Sequence, residues 1–338
     1  MLKAAPTAAA QSSPSEHAPV QLSELEAAAA LVHSVMPATP LHAWPKLARR
    51  SGCQVWVKHE NHTPTGAFKV RGGIVYLDRL KREQPNIPGV ISATRGNHGQ
   101  SIAFASARAN IPATIYVPKG NSPDQNSAIA TFGATLVEFG KDFDEAKHEA
   151  FRVAAHNGLH LVPSFHRDLV LGVGTYALEM FRAASDLDAV YVGVGMGSGI
   201  CGLIAARDAL GLKTEIVGVG PFNAPATALS FAAGKVIHST SSNTFADGLA
   251  TREPNPQAIA TIVRGVSRFV QVTEDEIAAA IRHYFDDAHQ IAEGAGAAPL
   301  AALLKDREPM QGKKVGLVLS GGNIERARYL KVLAGETP

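Results

Sequence analysis

The sequence predicts an α/β fold made of two open, twisted parallel-sheet domains with helices on both faces. Short apolar segments alternate with longer helical segments along most of the chain, as expected for βαβ units around a buried parallel sheet. The apolar segments form a central group and further groups on either side. We therefore expect a small domain at residues 86–166 inserted into a large domain at 22–85 and 167–338. An Ala-, Ser- and Pro-rich stretch at 1–21 predicts a disordered tail.

The predicted elements follow one another in a regular order. The first helix is expected to begin at Ser23, because Ser23 and Glu26 have the spacing of a capping box. Further helices are expected from about Lys69 and over 98–109, each after a strand-like segment. The strand-like segments lie at 55–60, 89–94, 113–118, 135–139, 189–194, 214–220 and 313–320. In open parallel sheets of this kind, ligands bind beyond the carboxyl ends of the strands.

Composition excludes several classes of protein. The chain has 338 residues, 46% of them hydrophobic and 18% charged, which is typical of a globular protein. The net charge is +2 without a Lys/Arg block, so we do not expect a nucleic-acid partner. The sequence lacks both a signal peptide and an apolar run of about 18 residues, so no membrane span is expected. Two distant cysteines, Cys53 and Cys201, fit a reducing cytoplasm.

A glycine-rich segment, "VGVGMGSGICGL" at 192–203, joins an apolar strand to a helix. Glycines let backbone N–H groups approach an anion closely, and a helix N-terminus attracts negative charge. A phosphate is the natural ligand, although a plain strand-to-helix turn fits the same pattern. The segment matches neither a Walker A loop nor a dinucleotide fingerprint. Its central residues are Gly195, Met196, Gly197, Ser198 and Gly199.

Four other segments place reactive side chains near the ends of strands. Lys69, in "TGAFKVRGG" at 65–73, either caps a surface turn or is held inside as a chemical group. "SATRGNHGQS" at 92–101 carries Asn97 and His98, and His98 by itself also fits helix capping. Glu293 in "IAEGAGAAPL" fits either a site or a solvated helix end, and Ser320 in "LSGGNIERA" fits either a ring-nitrogen contact or a helix cap.

In combination, these motifs resemble those of the fold-type II pyridoxal-phosphate enzymes, specifically the threonine/serine dehydratase and serine racemase family. The resemblance covers about residues 30–330 and includes "TPL" at 39–41, "ADG" at 246–248, "EGAGA" at 293–297 and "SGGN" at 320–323. It implies that Lys69 forms the Schiff base with pyridoxal 5′-phosphate, with Phe68 near the ring. The other implied cofactor contacts are Asn97 to the ring 3′-oxygen, residues 195–199 to the phosphate, Ser320 to the pyridine nitrogen, and Gly248 and Glu293 around the ring.

The same resemblance implies a substrate-binding loop formed by Thr94, Arg95, Asn97 and His98. Arg95 stands where racemases have a serine that moves a proton, and a guanidinium is a poor proton shuttle, so racemisation is disfavoured. Ala67 also replaces the usual serine of the family. The segment matching the divalent-cation site of some members, "GPFNAPA" at 220–226, lacks a carboxylate, so we predict no metal there.

The predicted function is a pyridoxal-phosphate dehydratase that eliminates water from an L-3-hydroxy amino acid, giving a 2-oxo acid and ammonia. Serine and threonine are the default substrates. L-threo-3-phenylserine is a further candidate, because residues 59–73 and 92–101 resemble the phenylserine dehydratase branch. A racemase, a β-replacement synthase and a non-catalytic pyridoxal-phosphate-binding protein remain as alternatives. The resemblance also implies a homodimer acting on a small molecule.

Overall fold

A computed structural model describes residues 19–338 and contains two β-sheets. The first has six strands in the order β1-β2-β10-β7-β8-β9, all parallel except the antiparallel edge strand β1. The second has four parallel strands in the order β5-β4-β3-β6. The strands are β1 (Leu41–Ala43), β2 (Gln54–His59), β3 (Val90–Ala93), β4 (Ala113–Val117), β5 (Thr135–Glu138), β6 (His160–Leu161), β7 (Ala189–Gly193), β8 (Glu215–Pro221), β9 (Arg268–Val272) and β10 (Lys314–Leu319).

Thirteen helices within the described residues cover these sheets. They are α1 (Leu22–His33), α2 (Pro45–Ser51), α3 (Lys69–Glu83), α4 (Asn97–Ala109), α5 (Pro123–Thr131), α6 (Phe143–Asn157), α7 (Arg167–Ala183), α8 (Ser198–Ala209), α9 (Ala226–Ala233), α10 (Pro256–Gly265), α11 (Glu274–Ala288), α12 (Gly294–Lys305) and α13 (Arg326–Leu333). Separate apolar clusters pack on the two faces of each sheet, which confirms the predicted α/β class. The four-stranded sheet spans 90–161, and we retain 86–166 as the proposed limits of the small domain.

Three strands were not predicted. β1 and β6 contain three and two residues, too few to show an alternating pattern. β9, "RFVQV", is an edge strand with only one fully buried residue. Its polar residues interrupt the apolar run from which the other strands were predicted. Within the described part of the chain, no helix is long and apolar enough to cross a membrane. Of the predicted tail at 1–21, residues 1–18 lie outside the described residues.

The predicted start of the first helix is wrong by two residues. Gln21 is the N-cap of α1, and its N–H donates to the Glu24 carboxylate at 2.9 Å. Glu26 instead forms an ion pair with Arg182 on α7. The Glu24 carboxylate also accepts from Arg167 of α7 at 2.8 and 3.0 Å, so contacts with a distant helix outweigh the local capping preference of Ser23.

Helix α3 lies in close contact with helices of both sheets. On one side, a Cβ at Gly172 of α7 would lie 2.3 Å from the Arg71 carbonyl oxygen. On the other side, a Cβ at Gly73 would lie 2.4 Å from the Ser101 hydroxyl of α4. That hydroxyl donates to the Lys69 carbonyl at 2.6 Å. Glycine at these positions therefore allows the helix that begins with Lys69 to contact α4 and α7 directly.

Candidate active site

The carboxyl ends of β3, β7 and β10 face one cavity of about 590 Å³ between the two sheets. Every site residue predicted from the sequence lines this cavity. These residues are Phe68, Lys69, Thr94, Arg95, Asn97, His98, Gly195, Met196, Gly197, Ser198, Gly199, Gly248, Glu293 and Ser320. Segments separated by more than 200 residues in sequence are thus brought together, as expected for an open parallel sheet.

Lys69 is the first residue of α3 and extends into the cavity rather than capping a surface turn. Its Nζ lies 5.3 Å from the centre of the Phe68 ring. Burial lowers the pKa of Lys69 to about 8, and the nearby Glu293 carboxylate opposes that shift only in part. A substantial fraction of this amine is therefore neutral, and hence nucleophilic and basic, near neutral pH.

The downstream "SGGN" segment holds the segment that carries Lys69. The Phe68 N–H donates to the Ser320 carbonyl at 3.0 Å, and the Gly322 N–H donates to the Gly66 carbonyl at 2.9 Å. Between these bonds, Ala67 and Gly321 form an isolated antiparallel bridge. The buried Ser320 directly follows β10 and lines the cavity, whereas the next helix begins only at Arg326, so Ser320 is not its cap.

The glycine loop between β7 and α8 leaves no room for a side chain at Gly195 or Gly197. Gly197 is the N-cap of α8 with φ +98°, and a Cβ at Gly195 would lie 2.2 Å from the Gly248 carbonyl oxygen. The Tyr176 hydroxyl donates to the Gly199 carbonyl at 2.9 Å and fixes the first turn. The first N–H groups of a helix have no partner within it, so this end of the cavity offers donors to an anion.

Asn97 and Glu293 contact each other across the cavity. The Asn97 side-chain amide donates to the two Glu293 carboxylate oxygens at 2.8 and 3.0 Å. Burial raises the pKa of Glu293 to about 7, although the bond from Asn97 opposes the shift. Glu293 precedes the first residue of α12, so it stands at a helix N-terminus and not at the solvated helix end that was the alternative. This carboxyl can therefore gain or lose a proton near neutral pH.

The loop before α4 contributes His98 and Thr94. The Thr94 hydroxyl accepts the N–H groups of Gly96 and Gly99 at 3.1 and 3.3 Å, so it is Thr94, not His98, that supports the helix start. His98 is buried, and its Nε2 has no hydrogen-bond partner among residues 19–338. Burial and the charge of Lys69 lower the pKa of His98 to about 3, so the ring is neutral. A buried polar atom beside a cavity is suited to a ligand.

Arg95 lies at the mouth of the cavity. Its guanidinium is 55% exposed and 3.7 Å from the Asp247 carboxylate, which also accepts a 2.9 Å bond from Arg328. Arg252 pairs with Asp144 of α6 at 2.6 Å on the same rim. These pairs join the two sheet regions around the opening.

Several lining residues were missed by the sequence reasoning. Asn323 and Asp247 belong to the "SGGN" and "ADG" motifs. Neither was predicted as a site residue, because the motifs alone do not show where their side chains lie. Others come from segments without a motif. These are Gln125, Phe143, Asp144, Lys147, Phe245, Arg252 and Arg328.

A buried ion network lies behind Lys69. The Arg71 guanidinium, fully buried on α3, donates to Glu60 at 2.7 and 3.0 Å and to Glu179 at 2.6 and 3.0 Å. Lys58 donates to Glu179 at 2.5 Å. Burial alone would raise the pKa of Glu179, but the contacts with Arg71 and Lys58 prevail and lower it to about 2. The network fixes α3 two residues beyond Lys69.

The cavity has the chemistry that a pyridoxal phosphate requires. Lys69, whose pKa is lowered to about 8, lies near the Phe68 ring, and the glycine-rich loop at 195–199 offers backbone donors suited to a phosphate. The Ser320 hydroxyl and the Asn97 amide line the same space. No group of three His, Cys, Asp or Glu residues within 19–338 is arranged to hold a metal ion.

Comparison with known proteins agrees with this geometry. The family described as pyridoxal-phosphate dependent enzyme matches residues 34–321. The L-threo-3-hydroxyaspartate ammonia-lyase of Saccharomyces cerevisiae is 31% identical over 299 residues, 88% of this chain and 91% of that protein. The L-threonine ammonia-lyase of Thermotoga maritima is 33% identical over 307 residues, 90% of this chain and 76% of that protein.

Solved structures give the same result. The processed threonine deaminase isoform 2 from Solanum lycopersicum has a TM-score of 0.85 at 29% identity, covering 94% of this chain and 96% of that one. Maize serine racemase has a TM-score of 0.87 at 25% identity, covering 94% and 98%. The chain therefore belongs to the pyridoxal-phosphate dependent enzyme family, and pyridoxal phosphate is its cofactor.

Proposed function

We propose that this enzyme eliminates water from an L-3-hydroxy amino acid and releases a 2-oxo acid and ammonia. The observation that carries the proposal is that Lys69 and Arg95 line the same cavity. Lys69 is a buried amine with its pKa lowered to about 8, and Arg95 lies in the loop before α4. Lys69 is suited to accept a proton, whereas Arg95 is not suited to return one. The relatives named above as ammonia-lyases support elimination over racemisation.

In this proposal the cofactor is held by residues from both sheet regions. Lys69 would hold it covalently, the 195–199 loop would bind its phosphate, and Phe68 and Gly248 would pack against its ring. Asn97 would donate to its ring oxygen, and Ser320 would contact its ring nitrogen. When bound, pyridoxal phosphate withdraws electrons from the substrate carbon that carries the amino group.

The reacting proton is handled by Lys69 and Glu293. Lys69 Nζ accepts the proton from the substrate α-carbon, which the lowered pKa permits near neutral pH. Glu293, with its pKa raised to about 7 and close enough to Lys69 for their charges to interact, can hold a proton. Ser320 contributes a neutral hydroxyl rather than a carboxylate. Charge on the substrate carbon is then less dispersed, which favours loss of the neighbouring hydroxyl. That hydroxyl takes the proton held by Glu293 and leaves as water, and hydrolysis of the released enamine gives the 2-oxo acid and ammonia.

The substrate carboxylate is assigned to the start of α4. Thr94, Asn97 and His98 at the start of this helix line the cavity, and the neutral His98 Nε2 offers an unused polar atom. The first N–H groups of a helix favour an anion. Arg95 adds a positive charge at the rim. A carboxylate therefore meets donors and positive charge here.

The lining of the cavity supports two classes of substrate side chain. Phe143 and Phe245 line the cavity and suit an apolar or aryl group, such as that of L-threo-3-phenylserine. Lys147, which also lines it and has no ion-pair partner among residues 19–338, suits an acidic side chain. The relatives that act on L-threo-3-hydroxyaspartate support this second class.

A substrate panel tests the proposal. Release of 2-oxo acid is measured with L-serine, L-threonine, L-threo-3-phenylserine and L-threo-3-hydroxyaspartate, and racemisation is followed by chiral chromatography. Turnover of at least one is expected, and inactivity on all four, or faster racemisation than elimination, contradicts the dehydratase assignment. Lys69→Ala should lose covalent cofactor attachment, seen by mass spectrometry after borohydride reduction, and turnover should fall by several orders of magnitude. Arg82→Ala, an exposed change on the same helix, should retain both.

We also infer that the enzyme acts as a homodimer in the cytoplasm. Phe285 on α11 and Leu330 on α13 are 42% and 56% exposed, and Phe285 packs near Tyr329, so these helices offer an apolar surface to a second copy. Both cysteines are buried and free, which suits a reducing compartment. Light scattering after gel filtration tests the dimer, and a monomeric mass would exclude it.

A further inference from the structure

A short hydrogen-bonded chain of side chains runs from a fixed backbone carbonyl into the cavity. The Asn323 side-chain amide donates to the Thr65 carbonyl at 2.8 Å and to the Asn97 Oδ1 at 2.7 Å. Asn97 in turn donates to Glu293. Asn323 has no role in the cofactor contacts described above.

The direction of this chain is set by chemistry. A backbone carbonyl can only accept, so the part of Asn323 that faces Thr65 must be its NH₂ group. The second hydrogen of the same NH₂ group points at Asn97 and requires an acceptor there. Asn97 must therefore turn its oxygen to Asn323 and its own NH₂ group to Glu293 and the cavity.

The position of Asn323 is itself closely defined. A Cβ at Gly66 would lie only 2.5 Å from the Asn323 Oδ1, and Gly66 has φ +67°. Only glycine therefore suits this turn. The Asn323 backbone carbonyl accepts a 3.1 Å bond from Gln125 of α5. Gln125 is held in turn by Gln100 of α4 at 2.7 Å. The amide is therefore restrained from both sheet regions.

We propose that Asn323 is a positioning residue that fixes the amide of Asn97 with its donor face towards the cofactor. Without Asn323, the two ends of the Asn97 amide are nearly equal in size and can exchange places. An exchanged amide would present an oxygen to the oxygen of the cofactor and to Glu293, so two attractive contacts would become repulsive. This inference rests on the proposed contact between Asn97 and the cofactor.

Asn323→Asp is the sharpest test, because it keeps the shape and removes the donors. The ionised carboxylate introduced by this substitution would attract the NH₂ group of Asn97 and so reverse the amide. The dissociation constant for pyridoxal phosphate, titrated into cofactor-free protein by fluorescence, should rise about 10- to 100-fold, as expected for a hydrogen bond to a charged group. The surface change Asn157→Asp is the same substitution at an exposed position of α6 and should leave that constant unchanged.

A double-mutant cycle with Asn97→Ala separates positioning from a general structural role. With no amide left to orient, Asn323→Asp should have little further effect on cofactor binding. Equal weakening by Asn323→Asp in both backgrounds, within about twofold, would overturn the proposal. Should Asn323→Asp not fold, as judged by circular dichroism, Asn323→Ala takes its place in the same cycle and the same comparison decides. Because the readout is cofactor binding, failure of the dehydratase proposal would not affect it.

Discussion

Charged side chains behind Lys69 and at the mouth of the cavity differ in their burial and in the number of bonds they make. Behind Lys69, Arg71 and Glu60 are fully buried and each makes several charge-assisted bonds. At the mouth, Arg252 and Asp144 are 40% and 50% exposed and share a single bond between the two sheet regions. Buried charges require complete compensation, whereas exposed pairs contribute little and separate easily.

The difference shows how the molecule combines a rigid anchor with an opening that can change. The buried network fixes the helix that carries the reactive amine, so a lost partner should be costly. The rim pairs are exposed and can break without a large loss of stability. Glu293 lies between these extremes, because it is buried but bonded chiefly to the neutral amide of Asn97.

The largest effect is expected from Arg71→Met. Removing the guanidinium leaves Glu60 and Glu179 as buried carboxylates with fewer partners, and such losses destabilise by about 3–5 kcal/mol. Urea unfolding measures the change. Arg82→Met, on the same helix but 71% exposed and paired with Asp78 alone among residues 19–338, is the matched control and should cost below about 1 kcal/mol. Equal losses of unfolding free energy in the two variants would mean that the buried network stabilises the fold no more than an exposed ion pair does.

An intermediate effect is expected from Glu293, and it depends on pH. The pKa of Glu293 in the folded protein is raised from 4.5 to about 7, so its protonated form stabilises the fold. That contribution is complete below pH 4.5 and is lost as pH rises through 7, amounting to about 3 kcal/mol in the cofactor-free protein.

Glu293→Gln removes this titration while keeping a similar shape. Relative to the wild type, the cofactor-free variant should gain about 3 kcal/mol of unfolding free energy between pH 4.5 and 7. Unfolding curves at a series of pH values measure it. A difference that stays constant with pH would show that this carboxyl does not titrate in the range.

The smallest effect is expected at the rim. A double-mutant cycle of Arg252→Ala and Asp144→Ala should give a coupling of about 0.2–1 kcal/mol, because both side chains are exposed. The coupling should nearly vanish in about 1 M salt, where charges are screened within about 3 Å. A coupling free energy above about 2 kcal/mol that does not fall in high salt would mean that this exposed pair is as strong as the buried pairs of Arg71. The rim and the buried network would then not differ as described.

Much of the cofactor site could be predicted from sequence, because its parts depend on backbone geometry. Gly195 allows the backbone of Gly248 to approach closely, and Gly197 has a positive φ. Both requirements select glycine, so they can be recognised in the sequence. The N-cap at Gln21 could not be predicted in the same way, because contacts of Glu24 and Glu26 with α7 overrode a local capping signal. The short strands β1 and β6 were hidden because they hold too few residues for a pattern.

The sequence by itself was enough to predict the α/β class from its alternating segments and the cofactor from several motifs in combination. It also predicted Lys69 and residues 195–199 as parts of one site, and both line the cavity. Only the tertiary structure decided how Arg71 is neutralised, why Glu293 holds its proton near neutral pH, and which way the Asn97 amide points. Those properties depend on desolvation and on partners more than 100 residues away, such as Glu179 for Arg71 and Asn323 for Asn97. Charge and hydrogen-bond direction are set by neighbours in space, and a linear pattern does not contain them.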